Sequence, residues 1–248
     1  MNVYSEDKIK ENKVVYELIG GSTSRSFRTI DNQVLKLFLN NPYYNLILSI
    51  HNDDFLGYLK ELSKIQNGSL IIPTEVYTGK NNIVLGYKHS YVHGKTINKI
   101  SGETRLDDFI DAIVELYADI LLLENYRLRD IHDLNIIFLK LKKLQKWVFK
   151  IIDLDMARFT DEDERKFNIK KLNNVLFRSL FHLGLVRDVY ITDKNVKQLY
   201  ESMANQEIDL IDFLGYYREY IIKEYGECSK IKDLNKGLII KDNPSLYK

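Results

Sequence analysis

The stretch from Asp130 to Asp153 constrains this chain more than any other. It holds two apolar, β-prone runs, Ile136–Leu141 and Trp147–Ile152, separated by the polar turn Lys142-Lys143-Leu144-Gln145-Lys146. Such a pattern reads as an antiparallel hairpin. Paired end to end, the runs put Asn135 and Asp153 opposite each other at the open end, where facing Cβ atoms lie roughly 4.5–5.5 Å apart. An amide oxygen and a carboxylate at that separation suit one hard cation. Asp130, five residues before Asn135, then lies in the loop that feeds the first strand. Asp, Asn and His also crowd ordinary turns, because their side chains bond to nearby backbone. The rest of the chain must therefore supply the other parts of a site.

Composition narrows the classes. With 248 residues the chain can bury a full core, as one large domain or as two small lobes. Apolar residues make up 45% and charged residues 29%, the balance of an ordered chain. A net charge of +1 predicts no strong attraction to nucleic acid or to an acidic membrane surface. The one cysteine, Cys228, excludes an internal disulfide framework and a Cys-based zinc site, which suits a reducing cytoplasm. No apolar run reaches the roughly 18 residues of a membrane span, and Met1–Lys8 has no signal-peptide character. A cytoplasmic protein with neither a nucleic-acid nor a membrane partner is the expectation.

Along the chain, Val14–Ile19 reads as a strand, and Gly20-Gly21-Ser22-Thr23 opens a flexible turn into a second strand. Glycines let backbone N–H groups approach an anion without a Cβ in the way, and the hydroxyls add donors; a plain hairpin turn has the same composition. Gln33–Phe38 is a short apolar strand with Lys36 in its middle, and a cation flanked by buried positions is costly without an anionic partner. Residues Tyr44 to Gln66 predict a helix, with Phe55, Leu59, Leu62 and Ile65 at helical spacing. Ser69–Tyr77 and Ile83–Val92 read as two strands joined by the turn Thr78–Asn82. A long helix with a broad apolar face runs from Leu106 to Asn125 and leads into the loop of Asp130. After the charged stretch that follows Asp155, a helix starts at Asn168, and Val196–Met203 and Ile208–Tyr225 read as amphipathic helices. The tail from Cys228 to Lys248 is polar and expected to be loosely held.

Arg129-Asp130-Ile131-His132-Asp133-Leu134-Asn135-Ile136-Ile137 resembles the catalytic loop of protein kinases: Arg-Asp, four residues, Asn, then two apolar residues. Leu128 stands where that family usually has His. Ile152-Asp153-Leu154-Asp155 resembles the family's metal-binding Asp-Phe-Gly segment, in the Asp-aliphatic-Asp form also found in aminoglycoside and choline kinases. The resemblance implies ATP and Mg²⁺ as cofactors and an α+β, two-lobed fold: an antiparallel N-lobe over residues 1–92 and a helical C-lobe over 93–248. It further implies that Asp130 handles the proton of the acceptor hydroxyl and that Asn135 and Asp153 hold Mg²⁺ against the phosphates. By the same resemblance Gly20, Gly21 and Ser22 form the phosphate loop, and Lys36 contacts the phosphates. Its helix partner would be Glu61, with Asp53 and Asp54 as alternatives. The backbone at Ser90 and Val92 would bond the adenine edge. Asn168 stands where the family has an Asp on its buried anchoring helix. Arg129 favours a protein Ser/Thr hydroxyl as acceptor. Gly20-Gly21-Ser22-Thr23, Asp155 and the missing Ala-Pro-Glu favour a small-molecule acceptor, and a nucleotide-binding pseudokinase is the third reading.

Overall fold

The computed structural model describes residues 1–18, 24–183, 194–205, 207–226 and 230–234. The fold is mixed α+β, dominated by antiparallel pairing. Six strands form the main sheet: β1 (Asn2–Ser5), β2 (Val14–Glu17), β3 (Ser24–Thr29), β4 (Gln33–Phe38), β5 (Glu75–Thr78) and β6 (Val84–Ser90), in the order β1-β5-β6-β4-β3-β2. Every neighbour pair is antiparallel except β1 with β5, which run parallel. β4 lies inside this sheet with both faces covered, so Val34, Leu35 and Lys36 are all buried.

The helix expected over Tyr44–Gln66 is two helices. Asn41 caps α1 (Pro42–Ile50) by accepting from the N–H groups of Tyr43 and Tyr44, with Pro42 in the first turn, where its missing donor costs nothing. Asn52 and Asp53 then take left-handed backbone angles, φ 51° and 62°, which stop the helix. Asp54 caps α2 (Phe55–Leu62) by accepting from Gly57 N–H. Periodicity carried across this break because both halves turn apolar residues to the same core: Tyr44 and Ile47 from one, Phe55, Tyr58, Leu59 and Leu62 from the other.

The strand expected to begin at Ser69 begins at Glu75. Pro73 interrupts it, and residues 69–71 bond instead to Ile151, whose N–H donates to Ser69 O (2.7 Å) and whose carbonyl accepts from Ile71 N–H (2.9 Å).

Beyond β7 (Lys95–Thr96), α3 (Leu106–Leu121) buries Leu106, Phe109, Ile110, Ile113, Leu116, Tyr117 and Ile120, one helical face. That face packs on the hairpin β9 (Ile136–Leu141) and β10 (Lys146–Ile151), and on α4 (Arg165–His182). Two-residue strands β8 (Tyr126–Arg127) and β11 (Arg158–Phe159) pair across the base of the Asp130 loop. α5 (Lys194–Ala204) and α6 (Leu210–Tyr225) complete the helical layer, with Phe213, Leu214, Tyr217 and Ile221 buried. Within the tail expected to be loose, α7 (Ile231–Leu234) is docked: Ile231 is buried, and the N–H groups of Ile231 and Lys232 donate to the carbonyls of Thr104 and Gly102.

Asn168, fully buried on α4, ties this layer to the Asp130 loop. Its Oδ1 accepts from Leu128 N–H (2.8 Å) and its Nδ2 donates to Tyr126 O (2.7 Å). Asn168→Ala strands both backbone groups, at about 1–3 kcal/mol each. Urea unfolding is expected to show a loss of that order, whereas a change under about 0.5 kcal/mol, the range of an ordinary surface substitution, would remove this anchoring role.

Candidate active site

Four separated segments meet at one cavity of about 570 Å³ between the main sheet and the hairpin. β4 contributes Lys36, the loop before β9 contributes Asp130, His132 and Asn135, and the segment after β10 contributes Asp153 and Asp155. Val92 and Gly94 line it between β6 and β7, and Leu18, Val34, Ile137 and Met156 add apolar lining. Mixed apolar walls with a few convergent polar groups are the usual make-up of a small-molecule site.

The hairpin forms, but its register is shifted by one residue from end-to-end pairing of the two runs: Ile136 faces Ile151 and Leu141 faces Lys146, which the sequence put in the turn. Its open end differs by one residue. Ile152 N–H bonds Asn135 O (2.9 Å), so the residue opposite Asn135 is Ile152. Asp153 follows in a left-handed turn, φ 61°, which ends the strand. Asn135 and Asp153 still share the cavity wall, but through this turn and not through ladder register.

The loop of Asp130 is braced from within. Asn135 donates from Nδ2 to Asp130 O (3.1 Å), which leaves its amide oxygen as the available ligand atom. His132 accepts Leu134 N–H at Nδ1 (3.2 Å), and its Nε2 stands 3.7 Å from Asp130 Oδ2. At the base, Arg127 donates to the buried carboxylate of Glu164 (2.6 Å).

Lys36 is 4% exposed, and it meets two carboxylates: Asp153 Oδ1 at 2.6 Å and Asp155 Oδ2 at 2.5 Å. Glu61, expected as its partner, is not. α2 turns Phe55, Tyr58, Leu59 and Leu62 inward, which leaves Glu61 outside, paired with Lys64 at 2.5 Å. The alternatives fail as well, since Asp54 is spent on capping α2 and Asp53 sits in the turn before it. Burial would lower the Lys36 pKa, but the two carboxylates outweigh it and hold the ammonium charged. Burial would likewise raise Asp153, and Lys36 outweighs it, so that carboxyl lies below its usual range. Asp155, more deeply buried and beside Asp153, is pushed up to about 6 despite Lys36.

The remaining expected residues divide. Gly20, Gly21 and Ser22 lie outside the described residues. Val92 lines the cavity, whereas Ser90 sits beyond it at the end of β6, in register with Gln33, its carbonyl accepting from the His89 ring. Asp155, Tyr87 and His51 belong to the site without having been assigned to it. Tyr87 OH donates to Asp155 Oδ1 (2.7 Å), and His51 Nε2 donates to the Asp155 carbonyl (2.8 Å). Lys36 and Tyr87 face each other across β4 and β6, a pairing only the sheet order reveals.

The donor set fits a hydrated divalent cation. Among the described residues no group of three or more His, Cys, Asp or Glu side chains could cage a metal. Mg²⁺ does not need one, because it keeps several waters and binds through one or two carboxylates plus phosphate oxygens. Histidines aside, among the described residues the cavity sets the ammonium of Lys36 against the carboxylates of Asp130, Asp153 and Asp155. That surplus of negative charge suits a cation, and it would repel a bare polyphosphate. No protein-family model matches this chain, and no curated protein matches it. Among the described residues no helix is long and apolar enough to cross a membrane.

His51 stacks on Tyr58 with ring centroids 3.9 Å apart, and burial, partly offset by its bond to Asp155, lowers its pKa from the ordinary 6.5. The unfolded chain therefore takes up the proton first, so the contribution of neutral His51 is present above that ordinary value and is lost as pH falls below it. Denaturant unfolding at pH 7.5 and 5.5 is expected to show wild type losing more stability on acidification than His51→Gln. Equal losses would contradict this.

Proposed function

We propose that this chain is an ATP-dependent phosphotransferase of two-lobed, protein-kinase-like architecture, residues 1–92 forming the N-lobe and residues 93–248 the C-lobe. The observation that carries the reading is the convergence of Lys36, Asp130, Asn135 and Asp153, from three separated segments, on one cavity. Phosphoryl transfer asks a protein mostly for positioning and charge neutralisation, and these four side chains can supply both.

In this reading Lys36 binds the nucleotide phosphates through its ammonium. The Asn135 amide oxygen and the Asp153 carboxylate hold Mg²⁺, which when bound supplies the charge neutralisation that lets a triphosphate enter an acidic cavity. Asp130 accepts a hydrogen bond from the acceptor hydroxyl, orients its oxygen and takes its proton at the carboxylate. The loop bracing from Asn135 to the Asp130 carbonyl keeps that carboxylate beside the cation ligands. Val92 and its neighbours receive the base at the connection between the lobes.

The acceptor in the first reading is a protein Ser or Thr hydroxyl. A small-molecule hydroxyl is the second, favoured by the short link of residues 156–164 between Asp155 and α4, which leaves little chain to build a peptide platform. Incubation with γ-labelled ATP, Mg²⁺ and parallel panels of proteins, aminoglycosides, choline and sugars separates them. Label on protein supports the first reading, and label confined to small molecules supports the second.

Two variants test the site. Asp130→Asn is expected to lower kcat about 10²–10⁴-fold with little change in ATP affinity. Asp153→Ala is expected to abolish transfer while circular dichroism reports an intact fold. Wild-type turnover in either variant would refute these assignments.

A further inference from the structure

Lys36 bridges two carboxylates that are unlike each other. The Asp153 side chain is 41% exposed and opens to the cavity, while that of Asp155 is 4% exposed. Both oxygens of Asp155 are engaged, Oδ2 by Lys36 and Oδ1 by Tyr87 OH. Its backbone is held as well. His51 donates to the Asp155 carbonyl, and Tyr58 OH donates to the carbonyl of Leu154 (2.6 Å). Tyr126 OH stands 2.6 Å from Tyr58 OH; with Tyr58 donating onward, Tyr126 is the donor of that bond. Residues from β6, from α2 and from the turn between α1 and α2 thus fix position 155, whereas the carboxylate of Asp153 is fixed on its cavity side by none of them.

We propose that Asp155 is the residue that positions Lys36, a permanent buried anchor, while Asp153 is an exchangeable partner that can leave Lys36 for a cation. This proposal rests on the phosphotransferase reading. A lysine held by one carboxylate can meet phosphate oxygens and still keep its place in the sheet. Without Asp155, the departure of Asp153 toward a cation would leave a buried ammonium with no fixed counter-charge, at a depth where an unpaired charge is strongly disfavoured. Gly86 contributes to the same geometry: a side chain there would run into the Lys36 carbonyl, so β6 can approach β4 closely enough to bring Tyr87 within reach of Asp155.

The test compares ATP·Mg²⁺ affinity and steady-state constants for wild type, Lys36→Met, Asp155→Asn, Glu61→Gln and the double variant Lys36→Met/Asp155→Asn, with thermal unfolding of each. Groups that orient a binding residue without touching the ligand cost about 10–100-fold when removed. Asp155→Asn is therefore expected to raise the ATP KM by about 10–100-fold, with a smaller change in kcat. The double variant is expected to bind ATP no more weakly than Lys36→Met alone, because Asp155 acts through the lysine. A purely structural role would instead lower thermal stability with a wild-type KM in the folded fraction, which overturns the proposal. Should Asp155→Asn not fold, Tyr87→Phe, which keeps the carboxylate but frees one oxygen, is expected to raise KM in the same direction by less, and an unchanged KM there overturns the proposal. Loss in Glu61→Gln with wild-type values in Asp155→Asn also overturns it. Wild type that neither binds ATP nor turns over would fail the underlying reading itself, a result distinct from all of these.

Discussion

The placement of one ammonium group governs the rest of this structure. Lys36 sits in an interior strand beside buried Val34 and Leu35, and desolvating a lone ammonium there would cost several kcal/mol. Its attraction to Asp153 and Asp155 offsets that cost. Because those carboxylates follow β10, the pairing also fastens the main sheet to the hairpin. This ionic contact lies beside the cavity, so groups that could bind a ligand also help to hold the sheet against the hairpin.

Around that centre the polar groups are arranged to be satisfied. Tyr87, His51 and Tyr58 each spend a donor on residues 154 and 155. On the far side, Asn168 bonds the backbone at Tyr126 and Leu128, and Arg127 meets Glu164. The loop of Asp130 is therefore clamped from α4 and β8, and the segment of Asp153 from β6, α2 and the turn between α1 and α2. Such bracing suits a site whose work is positioning, since preorganised dipoles and charges cost no rearrangement when a ligand arrives.

The same bracing explains why parts of the site were hidden in the chain. Lys36 was conspicuous because a charge between apolar neighbours demands a partner. Which partner was not readable, since a helix carboxylate and a loop carboxylate satisfy that demand equally on paper. The kinase resemblance suggested Glu61, but helical periodicity said nothing of which way α2 would face, and burial of Phe55, Tyr58, Leu59 and Leu62 turned Glu61 outward. The break at Asn52 and Asp53 is hidden in the sequence for a related reason, as apolar spacing continues across it.

Local pattern was enough for several of the elements. The β-prone runs and polar turn of residues 136–151, the apolar face of residues 106–121 and the short apolar run of residues 33–38 each declared strand or helix within a few residues of the observed ends. That Asp130, Asn135 and Asp153 line one cavity follows from one hairpin and the loop that enters it, although the pairing register is one residue off the expected one. Tertiary structure alone decided that Asp155 and Tyr87 join Lys36, that Glu61 does not, and that Asn135 faces Ile152. Strand and helix periods are properties of a few neighbouring residues, whereas the pairing of a buried charge depends on which distant surfaces close over it, and that is set by packing across the whole molecule.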